Sequence, residues 1–233
     1  MITARFALAL GLASLSLTLP TAASADDRAG AFRLALGVDV VGYQRQQTIG
    51  QSVFGTHPPS IYVGEREQLR SGLGTPRLGL ELSGVVAPLV LVGVTTTLEH
   101  VDGAPIASAA LGEADRVSWM VVPWVEIALL PGATVRPFLR GGVGIAGTYE
   151  SYPGDHASYE ELATQVAFSA MLGAHVFVTR EVSLDPYVAA SYANGDHVHT
   201  SSSEDPASDA TTTGGIENVE LSIGFALAAW LGP

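Results

Sequence analysis

From Gly30 onward the chain alternates apolar with polar or small residues at a period of two, in segments of about ten to fourteen residues. That period sends successive side chains to opposite faces of a strand. In the first segment Phe32, Leu34, Leu36, Val38 and Val40 share one face, while Arg33, Ala35, Gly37 and Asp39 share the other. A soluble barrel would turn its polar face outward and could not hold so many charges inside. The pattern therefore places hydrocarbon outside and charge within. On a lipid-facing surface a charge costs roughly 2 to 4 kcal/mol at mid-depth, and every backbone group must find a partner in a neighbouring strand. A closed barrel meets both demands.

Eight such segments can be read. The second sets Leu78, Leu80 and Leu82 against Arg77, Gly79, Glu81 and Ser83, and the third sets Val90, Val92, Val94, Thr96 and Leu98 against Gly93, Thr95, Thr97 and Glu99. Only Val86-Ala87-Pro88 separates these two. The fourth alternates Val117, Trp119, Val121, Val125 and Ile127 with Ser118, Met120, Trp124 and Glu126, and Pro131-Gly132 turns it into Val135, Leu139, Val143 and Ile145 of the fifth. The sixth presents Leu162, Val166, Phe168, Leu172 and Val176, and Thr179-Arg180-Glu181 leads on to Leu184, Val188, Ala190 and Tyr192 of the seventh. Val219, Leu221, Ile223, Phe225 and Leu227 mark the eighth. Val135-Arg136-Pro137-Phe138-Leu139 and Leu184-Asp185-Pro186-Tyr187-Val188 form a weak internal repeat, each opening a strand just after a tight turn, where proline is tolerated.

The remaining connections, at about 48–73, 102–114, 153–158 and 200–215, are long and polar. Short turns and long loops alternate, so the turns gather at one end of the barrel and the loops at the other. The expectation is an all-β fold, an eight-stranded antiparallel up-and-down transmembrane β-barrel over residues 26–233. Residues 1–25 are read as a cleaved signal peptide for the Sec pathway: a basic start ending at Arg5, an apolar run from Phe6 to Leu19, and Ala23-Ser24-Ala25 before Asp26. The expected address is the outer membrane of a Gram-negative bacterium.

Composition narrows the function classes. Hydrophobic residues make up 47% of the 233, yet past the first twenty no apolar run approaches the roughly 18 of a membrane helix. Cysteine is absent, which excludes a disulfide framework and thiolate metal sites. All 11 basic residues are arginine, and the formal charge of −12 argues against nucleic acid as a partner. Outer-membrane lipid and lipopolysaccharide, with the barrel-assembly machinery during biogenesis, are the expected partners of a monomer.

An eight-stranded barrel is narrow enough for side chains to fill. Counted from the turns, Arg33, Glu126, Arg136, His175 and Asp185 fall in a layer at the turn end, and Asp39, Glu81 and Arg140 nearer mid-barrel. These eight form the candidate lumen charge network. Paired, they make a plug that stiffens the barrel; switching partners, Arg136, Arg140, Glu81 and Glu126 would gate a narrow ion path. His197-Val198-His199 has ligand-like spacing but no third ligand can be named, and the acidic stretch Asn194–Gly215 reads as a solvated loop, so neither metal nor cofactor is expected.

The run Arg136-Pro137-Phe138-Leu139-Arg140-Gly141-Gly142-Val143-Gly144 and the surrounding pattern resemble the small outer-membrane β-barrel proteins related to the OmpA transmembrane domain and to OmpW. The resemblance covers almost all of residues 26–233 and implies fold and compartment rather than an activity, since such proteins include anchors, adhesins and narrow channels. They usually end on an aromatic residue, whereas this chain ends Ala229-Trp230-Leu231-Gly232-Pro233, with Leu231 rather than Trp230 in the outward phase. His199-Thr200-Ser201 is similar to the His-x-Ser pair of outer-membrane lipid A deacylases, with Glu99 or Glu220 as an orienting acid. Three readings result: a non-enzymatic structural or surface-interaction barrel with a largely plugged lumen, a gated narrow channel for ions or small amphiphiles, and, most remotely, a lipid-modifying hydrolase.

Overall fold

The structure is a computed structural model and describes residues 30–49, 57–63, 79–105, 113–130, 132–152, 157–203 and 209–232. The expected leader and most of the four expected loops lie outside these. Nine strands follow one another: β1 (Phe32–Ile49), β2 (His57–Val63), β3 (Gly79–Ala87), β4 (Val90–Pro105), β5 (Glu113–Ala128), β6 (Val135–Tyr152), β7 (Ala157–Phe177), β8 (Val182–Ser203) and β9 (Ala210–Leu231). Among the described residues there is no helix.

Eight strands close one antiparallel ring, in which β1 and then β3 through β9 pair in sequence order and β9 returns to β1. The closing seam is long, running from Phe32↔Leu231 to Ile49↔Gly215. β2 is the departure from expectation, because it lies inside the segment read as the first long loop. It pairs with β1 from Gln46↔His57 down to Val41↔Val63, and β3 takes over the same edge from Gly37↔Gly79. Two separate pieces of chain thus share one barrel position. The last hairpin also exceeds its expected bounds, since the β8–β9 ladder reaches Ser201↔Ala210 and takes in residues read as loop.

Three tight connections gather at one end, here called the turn end. Two residues join β3 to β4 beyond the Ala87↔Val90 pair. Between β5 and β6 the backbone turns through Leu130 and Gly132 at positive φ (55° and 82°), the second of which glycine adopts without strain. At the third, Val178 N–H donates to Val182 O at 2.9 Å.

The period-two pattern is realised in space. Leu82, Val143 and Ile223 face outward and are 53%, 53% and 56% exposed, as is the same face of every ring strand. So large a continuous apolar surface is foreign to soluble monomers. On β9 the exposed hydrophobics run from Leu221 to Leu231. At roughly 3.4 Å per residue and a tilt of about 40°, that is a band about 25 Å tall, the height of an outer-membrane apolar belt. In β1 a bulge between Asp39 and Val41 shifts the phase, so that Gly42, Gln44 and Gln46 rather than their neighbours point inward beyond it.

At the turn end the interior is apolar and aromatic. Phe138, Phe177, Trp230 and Leu91 pack with Ala31, Ala128 and Ala228 into the largest buried cluster. Trp230 is 4% exposed, its indole N–H donating to Ser183 Oγ at 2.9 Å, while Leu231 stands outward.

Candidate functional site

Strand parity alone puts an ionisable side chain into the lumen from six different strands. Arg33 enters from β1, Glu81 from β3, Glu126 from β5, Arg140 from β6, His175 from β7 and Asp185 from β8, all 6% exposed or less. Glu126 and Arg140 are direct cross-strand neighbours. The others meet only because the sheet closes.

The six form a continuous cycle. Arg33 Nη2 lies 2.5 Å from Asp185 Oδ2 and its Nη1 2.8 Å from Glu81 Oε2. Glu81 Oε1 accepts from Arg140 Nη1 at 2.6 Å, and Glu126 Oε2 accepts from Arg140 Nε and Nη2 at 3.0 and 2.7 Å. His175 Nε2 lies 2.7 Å from Glu126 Oε1, and His175 Nδ1 closes the cycle 3.1 Å from Asp185 Oδ2, without the alignment of a hydrogen bond. Bidentate contacts of this kind fix geometry as well as charge.

Aromatic rings enclose the cycle. His175 stacks on Phe138 (4.6 Å between centroids) and meets the edge of Trp230 at 5.2 Å. Arg140 lies 3.9 Å over Trp124, and Arg33 5.7 Å over Trp230. Glycine makes room at one point of the wall, since a Cβ on Gly173 would sit 2.5 Å from Phe138.

Two of the eight candidate residues stand outside the cycle. Arg136 donates from Nε to Ala133 O at 3.2 Å and covers Phe177 at 4.8 Å. Asp39 accepts from the Tyr187 hydroxyl at 3.0 Å. The expected two charge layers are therefore replaced by one ring that joins Arg33, Glu126, His175 and Asp185 to Glu81 and Arg140. Side chains of this length span the height difference that strand counting had treated as a boundary.

Toward the loop end the lumen holds a second set of polar groups that reading from the turns missed. Arg116 pairs with Glu150. Glu161 is fully buried, with His197 Nε2 and His199 Nδ1 each 3.7 Å from one of its oxygens. The signal was the same parity carried further up: Arg116 precedes outward Val117, and Glu161 precedes outward Leu162. His197 and His199 belong to the β8 ladder, not to a loop. Ser201 Oγ donates to Ala210 O at 3.4 Å, a backbone carbonyl rather than an imidazole, so no activated nucleophile is assembled there. The side chain of Glu99 lies outside what is described.

Between the two sets lies a cavity of about 100 Å³. Arg140, Glu81 and Trp124 border it on the turn side, and Met120, Ala167, Ser191 and Glu220 on the loop side.

No family model matches the chain, and no curated protein matches it in sequence. Solved structures do. The outer membrane protein AlkL, determined by solid-state NMR in lipid bilayers, is 14% identical over 88% of this chain and 93% of its own, with a TM-score of 0.54. The outer membrane protein OprG from Pseudomonas aeruginosa is 13% identical over 88% of this chain and 98% of its own, with a TM-score of 0.52. Identity at that level speaks for the fold alone. The closed ring, the outward apolar belt and these likenesses agree: the chain has the fold of the small eight-stranded outer-membrane β-barrel proteins.

Proposed function

We propose that the protein resides in the outer membrane as a closed, non-conducting barrel with a structural or surface-interaction role. The observation that carries this reading is the six-membered charge ring bridging six of the eight ring strands, backed on the turn side by the Phe138, Phe177 and Trp230 cluster. Charges set against opposite charges and packed against aromatic rings oppose a continuous water path, and breaking a buried pair in order to rearrange it is costly. Residues 1–25 act as the Sec leader, removed before Asp26. The belt is surrounded by outer-membrane lipid and lipopolysaccharide, the barrel-assembly machinery inserts the ladder, and the barrel works as a monomer.

Single-channel recording tests the closure. The purified, refolded protein in a planar bilayer, its fold verified by heat-modifiable gel mobility, is expected to show no steady conductance steps. Arg140→Ala removes three hydrogen bonds of the ring and is expected to produce them. Steady steps from the unmodified protein would instead establish the gated narrow channel, which the mid-lumen cavity above the ring would then serve.

A further inference from the structure

The outward apolar face ends differently at its two borders. Toward the loop end it gives way to polar residues, since the outward positions of β8 after Tyr192 are the exposed Asn194 and Asp196. Toward the turn end it does not stop with the strands. Val86 and Leu89 flank the β3–β4 turn, Leu129 and Leu130 open the β5–β6 turn, and all four are exposed. The two turns are neighbours, because Ala128 N–H donates to Leu89 O at 2.8 Å. Their side chains carry the apolar belt on to the tips of the hairpins.

Three observations say what covers these tips. The first is height. Outward Trp119 lies ten residues from Leu129, which is about 25 Å at the rise and tilt of a barrel strand. An indole favours the border between acyl chains and water, so a belt of ordinary height measured from Trp119 reaches the turn itself. The second is the backbone. Lipid tolerates a turn only where its polar groups are met. Pro88 and Pro131 carry no N–H to satisfy, Leu129 N–H donates to Pro137 O at 2.7 Å, and Ala133 N–H donates to Leu130 O at 3.2 Å. The third is Leu130, which stands at a φ of 55°, a left-handed conformation that usually falls to Gly, Asn or Asp. It is nevertheless a leucine and 63% exposed. A strained tip that carries an exposed leucine points to a contact beyond the chain.

The β7–β8 turn is built otherwise. Arg180 and Glu181 are both exposed there, and the Glu181 N–H donates to Thr179 Oγ1 at 3.1 Å. Charge of this kind suits water or lipid headgroups rather than acyl chains.

We propose that the β3–β4 and β5–β6 turns form an apolar foot inserted among the acyl chains of phospholipid in the turn-side leaflet, with the β7–β8 turn at the water boundary. The occupant is phospholipid because the foot is continuous with the lipid-facing belt and shares its chemistry. The inference rests on the residence in lipid proposed above and adds which turns are immersed.

The lack of cysteine allows a nitroxide to be carried at one chosen position. Leu89→Cys, Leu130→Cys, Arg180→Cys and Ile223→Cys are labelled in turn, reconstituted in phospholipid nanodiscs and checked for folding by heat-modifiable gel mobility. Collisions are then measured with oxygen, which concentrates among acyl chains, and with a neutral nickel chelate, which stays in water. At Leu89 and Leu130 oxygen is expected to exceed nickel at least threefold, as at Ile223 in the belt, and at Arg180 nickel is expected to exceed oxygen. Either turn position decides if the other variant does not fold. Nickel dominating at Leu89 and Leu130 while oxygen dominates at Ile223 would overturn the foot alone, and nickel dominating at Ile223 as well would overturn the residence in lipid with it. Labels reached by neither collider would mean that protein covers the turns, which also overturns the proposal, and oxygen dominating at Arg180 would overturn the boundary.

Discussion

The two halves of the lumen are built by the same rule and come out differently. At the turn end every member of the six-membered ring has a partner within 3.1 Å and aromatic faces pack against it, although Arg33 Nε, His175 Nδ1 and Asp185 Oδ1 make no hydrogen bond. At the loop end Arg116 pairs with Glu150 but is not linked into a ring, Glu161 stands 3.7 Å from two imidazoles, both ends of the Asn218 amide are unmet, and a cavity separates the two sets. Parity puts charge inside in both places. Only where opposite signs arrive at one height, on strands close enough for arginine to reach, does the charge become a plug. The turn end is therefore the stabilising half, and a cavity lies between it and the loop end.

Substitutions can break this contrast. The largest effect is expected at Glu126, which serves both Arg140 and His175. Glu126→Ala leaves a buried guanidinium short of its partner and should cost about 3 to 5 kcal/mol, read as a fall in the urea midpoint in lipid. Combining it with Arg140→Met should cost clearly less than the two single changes together, because the lone charge is gone. A loss below about 1 kcal/mol for Glu126→Ala would show the ring to be loosely held.

Next comes the wall. A Cβ on Gly144 would sit 2.1 Å from Val121 O, so Gly144→Ala must spread β5 from β6 and should cost about 1 to 3 kcal/mol in the same assay. At the barrel floor Trp230→Phe keeps the ring but orphans Ser183, for about 1 kcal/mol. The smallest effect is expected at the loop end, where His199 stacks at 5.7 Å on Tyr159. His199→Ala should cost about 0.5 to 1 kcal/mol, and a larger loss would erase the contrast between the halves.

Much of this was legible in the residues. Alternation alone assigned an inward position to Arg33, Asp39, Glu81, Glu126, Arg136, Arg140, His175 and Asp185, because in a strand the face is decided by odd or even number. The pairing of Glu126 with Arg140 was not legible, because equal steps out from Pro131-Gly132 set Glu126 opposite Pro137 and the ladder is offset from that count. Nor were the contacts of Arg33 with Asp185 and of Glu81 with Arg140, since they join strands far apart in sequence and depend on how the closed sheet is sheared. β2 was hidden for a local reason. His57–Val63 carries two adjacent prolines and no alternation, which argues against a strand, yet one neighbour, β1, suffices to hold it. The bulge after Asp39 likewise masked the inward set Gly42, Gln44 and Gln46, because one extra residue inverts the parity beyond it.

The seal at the turn end is the central claim, and the chain's lack of cysteine offers a direct test. In a Ser222→Cys variant the sole thiol borders the cavity just beyond the ring. A small, charged, membrane-impermeant thiol reagent is applied from the turn-end side of the reconstituted barrel. The account predicts no modification until Arg140→Ala is added, with full reaction after unfolding as the control. Rapid modification with Arg140 in place would contradict it.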